Sequence, residues 1–363
     1  MSARQVRFGI VGTGFMARVH AHAVRSAGGV VTCVAGSSPE RAHRAAPELH
    51  ALRAAGSLEE LVEADDVDVV SVCTPNHLHV EMAERALTAG KHVVCEKPLA
   101  LTAADAEQLV ASAARAGVVH AVPFVYRYYP MVREARARIA SGEAGRLWLL
   151  HGSYLQDWLA PAATTNWRVD PARAGVSRAF ADIGVHWCDL MEFVTGHRIA
   201  ALTATTARAY DARGEDGQPV ATEDGACLLF RTDQGATGSV LVSQVSPGRK
   251  NALSFSFDGT EASFAFHQER PETLWVGGTA EDRVVHRDPA HLSSDAARLA
   301  VLPPGHPQGY QDCFNGFMTD VVAAVRGAEL PGLPTFADGA RAAHVTHAVV
   351  ASAAGGGWVE ALP

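Results

Sequence analysis

The chain has 363 residues, of which 48% are hydrophobic, and carries 31 basic against 39 acidic side chains for a formal net charge of −8; its mean hydropathy is +0.03 and its pI about 6.1. That length exceeds the roughly 250–300 residues that a single core sustains, so two domains are expected. The acidic balance supplies no basic footprint for nucleic acid or an anionic membrane, and no window reaches the roughly 18 apolar residues of a membrane span, which leaves small metabolites as the expected partners.

Met1 to Gln5 lead into a strand without the apolar core of a signal peptide. Of six cysteines, Cys33, Cys73 and Cys95 lie in apolar strand-like runs, where they read as small buried hydrophobes. With no C-x-x-C spacing, a reducing, cytoplasmic compartment and no structural or catalytic metal are expected.

Val6 to Val11 read as a buried strand, and Gly12-Thr13-Gly14-Phe15-Met16-Ala17 then opens a helix reaching about Ala27. In this G-x-G-x-x-A the first glycine permits a tight turn and the second lets backbone approach a pyrophosphate. The small third residue lets helix pack on strand, and the helix N-terminus offers N–H groups and a positive dipole end to phosphate. Val30 to Ala35 form the second strand. At its tip, where NAD-specific sites carry an acid for the ribose hydroxyls, stand Gly36-Ser37-Ser38 and then Pro39-Glu40-Arg41. Nothing there repels a 2′-phosphate; Ser37 and Ser38 can donate to it and Arg41 can pair with it, or Arg41 is simply a solvated residue at a helix start.

Ser57-Leu58-Glu59-Glu60 reads as a capping box, followed by a strand from Val67 to Cys73 that ends at Thr74-Pro75-Asn76-His77. A helix over 77–89 stops at Gly90. The next strand ends in Glu96-Lys97-Pro98, where proline keeps Lys97 extended at the carboxyl edge of the sheet, a place for a proton carrier or a substrate-positioning cation. Thr102 caps another helix and Val118 to Phe124 form another strand. Strands alternating with helices through residue 124 predict a doubly wound parallel α/β sheet.

After residue 125 the rhythm changes to a helix near 130–140 and strand-like runs at 147–154, 227–231, 238–243 and 253–257, with loops or hairpins over 211–225 and 277–283. This predicts an α+β domain on a mostly antiparallel open sheet. Within it Asp182, His186 and Asp189 stand at i, i+4 and i+7 of an apolar helical stretch, on one face. A histidine near its usual pKa of about 6.5 is a natural acid or base there, oriented by a carboxylate one turn away; a satisfied core histidine is the plainer alternative. Tyr154-Leu155-Gln156-Asp157-Trp158, Asn166-Trp167-Arg168 and Tyr126-Arg127-Tyr128-Tyr129 form either a sugar-binding surface of flat rings and polar groups or ordinary packing.

Together the G-x-G-x-x-A of Gly12 to Ala17, Thr74-Pro75-Asn76-His77, Glu96-Lys97-Pro98 and Asp182-Ile183-Gly184-Val185-His186 resemble, in order and separation, the Gfo/Idh/MocA oxidoreductases, the family of glucose-fructose oxidoreductase and inositol dehydrogenase. The resemblance implies a Rossmann domain over 1–125 and an α+β domain over 126–363 for substrate binding and oligomerisation, with a last helix returning to the first domain. It implies hydride transfer between C4 of NADP or NAD and a secondary alcohol or ketone of a sugar, anhydrosugar, glycoside or inositol. Lys97 would bond the reacting oxygen, His186 would exchange its proton, and Asp182 would position substrate or tune His186. Cofactor contacts would come from Gly12, Thr13, Gly14, Phe15, Met16, Ser37, Ser38, Arg41, Thr74, Pro75, Asn76, His79, Glu96 and Lys97. Substrate contacts would come from Tyr126, Arg127, Tyr154, Gln156, Asp157, Trp167, Arg168, Asp182 and His186. The missing acid at Gly36 leans the cofactor toward NADP, Tyr154 to Trp158 resemble members acting on sugars and anhydrosugars, and a homodimer or homotetramer is implied. A redox glycoside hydrolase and a nucleotide-sensing regulator of the same fold are the alternatives, the latter disfavoured by the presence of both Lys97 and His186.

Overall fold

A computed structural model describes residues 4–361; residues 1–3, on which the reading of an N-terminus without an apolar leader partly rests, lie outside the described residues. The chain divides into two units, one made of residues 1–125 and 310–340, the other of 126–309 and 341–363.

The first unit is built on six strands, β1 (Arg7–Val11), β2 (Val30–Ala35), β3 (Arg53–Ala54), β4 (Val69–Val72), β5 (His92–Cys95) and β6 (His120–Ala121). They pair all-parallel in the order β3-β2-β1-β4-β5-β6. The helices between them are α1 (Phe15–Ser26), α2 (Pro39–Glu48), α3 (Leu58–Glu63), α4 (His79–Thr88) and α5 (Ala103–Ala116). A sheet covered on both faces needs strands that are apolar throughout, and β1, β2, β4 and β5 are almost wholly buried. The strand order reverses between β1 and β4, which makes the crevice at their carboxyl ends the ligand position of such sheets.

Local chemistry sets the helix starts. Ser57 accepts the Glu60 N–H at 3.2 Å, while the Glu60 carboxylate takes the Gly56 N–H at 2.7 Å, one residue earlier than a regular capping box. Thr102 accepts the Asp105 N–H at 3.1 Å. Two predicted elements differ. The helix expected over 77–89 begins as a three-residue 3-10 turn, Asn76–Leu78, before α4. The strand expected from Val118 to Phe124 shrinks to β6, because the Val122 N–H leaves the sheet to bond Pro334 O at 3.0 Å.

The second unit begins with α6 (Pro130–Ala140), β7 (Leu147–Leu155), α7 (Pro171–Ala174) and α8 (Val185–Thr195). The strands β8 (Ile199–Ala207), β9 (Ala212–Arg213), β10 (Gln218–Pro219), β11 (Gly225–Thr232), β12 (Thr237–Ser243), β13 (Ala252–Gly259), β14 (Ser263–His267), β15 (Thr273–Gly277) and β16 (Asp282–His286) follow, then the short α9 (Ser294–Ala297). With β17 (Val359–Glu360) they form a nine-stranded sheet in the order β16-β15-β14-β13-β7-β12-β11-β8-β17, while β9 and β10 make a separate hairpin. Every neighbour pairs antiparallel except β7 with β12.

One face of this sheet carries the core. In β11, Leu228 and Phe230 are buried while Cys227 and Leu229 are exposed, the period-two alternation of a half-covered sheet. Helix α8 lies on the covered face and sinks Trp187 toward Phe230 and Phe257, its indole N–H donating to Ser254 O at 2.9 Å. Residue 152 has to be glycine for that approach: a Cβ would stand 2.5 Å from the indole nitrogen and 2.1 Å from Ser254 O.

Two helices close the chain. Helix α10 (Tyr310–Val325) packs on α1 within the first unit, and α11 (Phe336–Gly355) passes from the first unit into the second at residues 340 and 341. The helix returning to the first unit is therefore the penultimate one together with the start of the last. No helix among the described residues is long and apolar enough to cross a membrane.

Candidate active site

At the carboxyl edge of the first unit's sheet, Gly12 leaves β1 with a φ of +120° and its N–H on Ala35 O at 2.9 Å. A Cβ there would stand 2.4 Å from Cys73 O, so both its conformation and its neighbour require glycine. Gly14 caps α1 in extended backbone with no side-chain hydrogen bond, and a Cβ on it would meet nothing within 4 Å. The first turn of α1 thus has no side-chain cap and lies beside open space, with Thr13, Met16 and a 62%-exposed Phe15 around it. The Thr74 hydroxyl is buried at the same edge without a hydrogen-bond partner. A dinucleotide fits these groups: amides and dipole for the pyrophosphate, glycine where backbone must come close, and a donor for a polar edge.

At the tip of β2, Gly36 is crowded, since a Cβ would lie 3.1–3.2 Å from Ala42 N, Arg41 Cβ and Thr13 Cγ2. Ser38 is the N-cap of α2, accepting the Arg41 N–H at 3.4 Å, and its side chain also bonds Glu40 and holds that carboxyl below the usual range. The cap uses the hydroxyl oxygen as an acceptor. Ser37 and Arg41 remain exposed.

The loops after β4 and β5 are tied together by a residue expected among the cofactor contacts. His79 is fully buried, with Nδ1 2.7 Å from Pro98 O and Nε2 3.0 Å from Thr74 O. Burial pushes its imidazole below the usual value, against the opposing pull of those two carbonyls. It supports Thr74, Pro75 and the buried Asn76 from beneath. Glu96 is also turned inward: its carboxylate lies 3.0 Å from His20 Nε2 on α1 and accepts the Lys97 N–H at 3.2 Å. Burial alone would raise the Glu96 carboxyl, but the His20 hydrogen bond and the charges of His20 and Lys97 bring it below the usual range. Lys97 follows across a cis bond to Pro98 and is partly exposed. Sequence reasoning missed His20; the signal was a polar residue among Ala17, Ala21 and Val24 on the buried face of α1.

In the second unit the stretch bearing Asp182, His186 and Asp189 is not a uniform α-helix. It opens with a π-helical turn, Phe180–Gly184, before α8, so the three side chains do not share one contact surface. Asp182 accepts from Gln244 Nε2 at 2.7 Å and lies 3.5 Å from Arg168 Nε. Asp189 is bonded in a two-pronged pair by Arg127, whose guanidinium also covers the Phe193 ring. The structure thus assigns Arg127 to Asp189 rather than to a substrate surface. The His186 ring meets Tyr126 edge-on at 5.0 Å between centroids and Tyr154 at 6.4 Å.

Tyr126 and Tyr154 were expected to offer flat rings; both are buried, and their hydroxyls bond each other. Tyr154 donates to Asn251 Oδ1 at 2.7 Å, Asn251 Nδ2 donates back to Tyr126 at 3.1 Å, and Gln156 donates to Asn251 Oδ1 at 2.7 Å. Trp158 Nε1 continues the chain to Gln156 Oε1 at 3.0 Å. Asp157 takes Lys250 Nζ at 2.6 Å, which holds its carboxyl below the usual range. Trp167 lies under the Arg168 guanidinium at 4.5 Å. Gln244 and Asn251 were not anticipated; each sits just outside a strand end, where a polar residue carries no distinguishing pattern. Among the described residues no group of three or more His, Cys, Asp or Glu side chains is arranged to hold a metal ion.

Residues 6–124 match the model of an oxidoreductase family with an NAD-binding Rossmann fold, and residues 132–265 match the Gfo/Idh/MocA C-terminal domain. The chain belongs to the Gfo/Idh/MocA oxidoreductase family. It is 32% identical to levoglucosan dehydrogenase of Pseudarthrobacter phenanthrenivorans, covering 98% of each chain, and 37% identical to 1,5-anhydro-D-fructose reductase of Ensifer adhaerens, covering 83% of this chain and 89% of that one. A solved levoglucosan dehydrogenase in complex with NADH and levoglucosan superposes with a TM-score of 0.93 at 31% identity over 99% of this chain and all of that one. An inositol dehydrogenase homolog from Azotobacter vinelandii complexed with NAD⁺ does so at 0.87 and 29% identity, over 99% and 98%. The family resemblance read from the motifs therefore holds, as do the α/β class, the parallel Rossmann sheet and the mostly antiparallel second sheet.

Because the folded Glu96 carboxyl lies below its ordinary value, its contribution is present above about pH 4.3 and is lost as pH falls through the folded value. Glu96→Gln is expected to lose about 1–3 kcal/mol at neutral pH by urea unfolding, with the gap to the parent protein narrowing toward pH 3. A gap that stays constant over that range would show that Glu96 does not titrate as argued.

Proposed function

We propose that this protein is an NAD-dependent dehydrogenase that moves hydride between nicotinamide C4 and a secondary alcohol of a pyranose-type sugar, with anhydrosugars as the first candidates. The observation that carries this reading is the polar wall of part-exposed Gln156 and Asn251, backed by the buried, mutually bonded hydroxyls of Tyr126 and Tyr154, the first of which meets His186 edge-on. Such a wall suits a polyhydroxylated ring, and levoglucosan dehydrogenase and 1,5-anhydro-D-fructose reductase, both similar along most of this chain, are named for anhydrosugars.

In the oxidative direction the substrate loses a hydride from carbon and a proton from its hydroxyl, leaving a ketone; the bound nicotinamide supplies the hydride acceptor. Lys97 donates a hydrogen bond to the reacting oxygen and stabilises its developing negative charge. His186 receives the hydroxyl proton, and edge-on contact with Tyr126 fixes its ring. Asp182, oriented by Gln244 and Arg168, accepts from a second substrate hydroxyl. His79 and Glu96 act from below by fixing the loops that present Thr74 and Lys97.

The finer cofactor reading is that the β2 tip accepts NADP as well as NAD. Gly36 leaves no carboxylate there, and Arg41 stands exposed on the first turn of α2. The outer face of the second sheet, with Leu229 56% and Leu241 45% exposed, supports a homo-oligomer. The six cysteines, all free thiols, suit a cytoplasmic location.

Nicotinamide absorbance should rise on mixing the protein with NAD⁺ and an anhydrosugar from a panel of inositols, aldoses and glycosides; aglycone release without that rise would favour a redox hydrolase instead. Lys97→Met should lower kcat by roughly 10²–10⁴ while NADH binding, read by fluorescence, is kept; retained turnover would remove Lys97 from the chemistry. Arg41→Ala should weaken NADPH about tenfold, the loss of one charge-assisted contact worth about 1.4 kcal/mol, and leave NADH unchanged. Equal losses would leave Arg41 a solvated helix residue. Light scattering should give a mass above one chain that Leu229→Arg reduces, and a monomeric parent protein would end that reading.

A further inference from the structure

The helix bearing Asp182 and His186 is held at its start by a carboxylate from a distant loop. Glu223, 7% exposed, accepts four hydrogen bonds there: Ser177 Oγ at 2.8 Å, Arg178 N at 2.9 Å and 3.0 Å to its two oxygens, and Phe180 N at 3.0 Å. The Arg178 and Phe180 donors are the backbone N–H groups that precede and open the π-turn, and the carboxylate takes the place of an N-cap. Asp182 N then bonds Arg178 O at 2.8 Å, so the first substrate-facing carboxylate hangs directly from this anchor.

Asp224, next in sequence and 2% exposed, grips the opposite wall. Its carboxylate pairs with Arg178 and, at 2.7 Å, with Arg213. The Arg213 guanidinium donates onward to Leu159 O at 2.7 Å and Pro161 O at 3.3 Å, and Tyr210, whose N–H faces Asp224, donates its hydroxyl to Ala160 O at 2.7 Å. That segment directly follows Gln156, Asp157 and Trp158. The Asp224 backbone adds a third link, because its carbonyl accepts the N–H of Gln244 at 3.0 Å, and Gln244 is the donor to Asp182. Two buried carboxylates are matched by two buried guanidiniums, Arg178 and Arg213, so the cluster is charge-balanced.

We propose that Glu223 and Asp224 are positioning residues for the sugar half of the reaction: one buried dipeptide sets the π-turn that presents Asp182 and His186, the 159–161 wall and Gln244 in a single register. This rests on the reading of Asp182 and His186 as the substrate-facing groups. The dipeptide acts only through the groups that it holds. Its loss misplaces them without touching the nucleotide edge, which belongs to the other unit.

The test is Glu223→Gln in the full-length protein, which keeps one acceptor oxygen but turns an amide toward the Arg178 N–H, with Glu223→Asp as the conservative variant and Ser177→Ala as the mildest. The expected result is a kcat for the sugar lower by about 10–100-fold, the scale of a small misplacement of reacting groups. NADH affinity should stay within about twofold of the parent value, Glu223→Asp should recover part of the rate, and Ser177→Ala should lose least. A rate that merely follows the folded fraction, or Glu223→Gln with parental kcat, overturns the proposal. If Glu223→Gln does not fold, the comparison of Ser177→Ala with the parent decides by the same criteria. If the parent protein oxidises no sugar, the functional reading fails separately. Amide hydrogen exchange then decides: lost protection confined to residues 178–187 and 159–161 in the variant supports the anchor, and uniform loss or no change refutes it.

Discussion

A buried backbone N–H or C=O must find a partner, and the ends of the ladders and helices are where the ladder itself supplies none. In this protein those orphan groups are met by buried polar side chains, and the functional edges are shaped by them. His79 donates to one of the carbonyls of Thr74 and Pro98 that flank its two ring nitrogens, Glu96 takes the N–H of Lys97, and Glu223 takes those of Arg178 and Phe180. Each of these side chains sits one layer beneath a residue with a chemical role. The loops and the π-turn hold one conformation because an alternative would leave a polar group stranded in the interior, at about 1–3 kcal/mol for each.

The same devices bring charge indoors, and charge indoors requires compensation. Glu96 lies against His20, Asp189 against Arg127, and Asp224 against Arg178 and Arg213. For Asp224, burial alone would raise the carboxyl, but the two guanidiniums bring it below the usual range. It is therefore ionised at neutral pH, as a clamp of this kind has to be. Removing one member of the Asp189 or Asp224 set strands a buried charge and costs about 3–5 kcal/mol, so these pairs tolerate substitution poorly even where they touch no ligand. The fold accepts that cost in robustness at the two edges where position matters most.

What could be read from the sequence follows the range of each constraint. Gly12 and Gly14 were legible because their requirement is local, a φ of +120° at one and an approach to a helix start at the other. Glu96-Lys97-Pro98 was legible as a position, since an apolar run ending in charge and proline marks a strand end, but the direction in which Glu96 points was not. Its partner His20 lies 76 residues earlier. The π-turn escaped because a four-residue spacing between Asp182 and His186 is compatible with either helix type. Tyr126 and Tyr154 were legible as polar aromatics, but not that their hydroxyls pair with each other and with Asn251, which lies 97 residues beyond Tyr154 and has no pattern of its own. The returning helix α10 is another long-range feature: its apolar face has its packing partner, α1, almost 300 residues away in the chain.

The two edges also differ in the kind of group that does the recognising, and this bears on how such a protein changes substrate. The nucleotide edge presents mainly backbone: the N–H groups opening α1 and the glycines that let a ligand approach them. A backbone site admits little sequence variation where a glycine such as Gly12 is pinned both by its own conformation and by a neighbour, Cys73 O. In the proposed reading the sugar edge presents side chains, Gln156, Asp157, Trp167, Arg168, Gln244 and Asn251, carried on strand ends and loops, of which the 159–161 segment and Gln244 are fastened by the Glu223–Asp224 pair. Side chains on a fastened loop can be exchanged one at a time without unseating the rest. If the proposed sugar edge is the substrate site, the chain keeps its nucleotide chemistry in the part that sequence change reaches least easily, and its choice of sugar in the part that it reaches more easily.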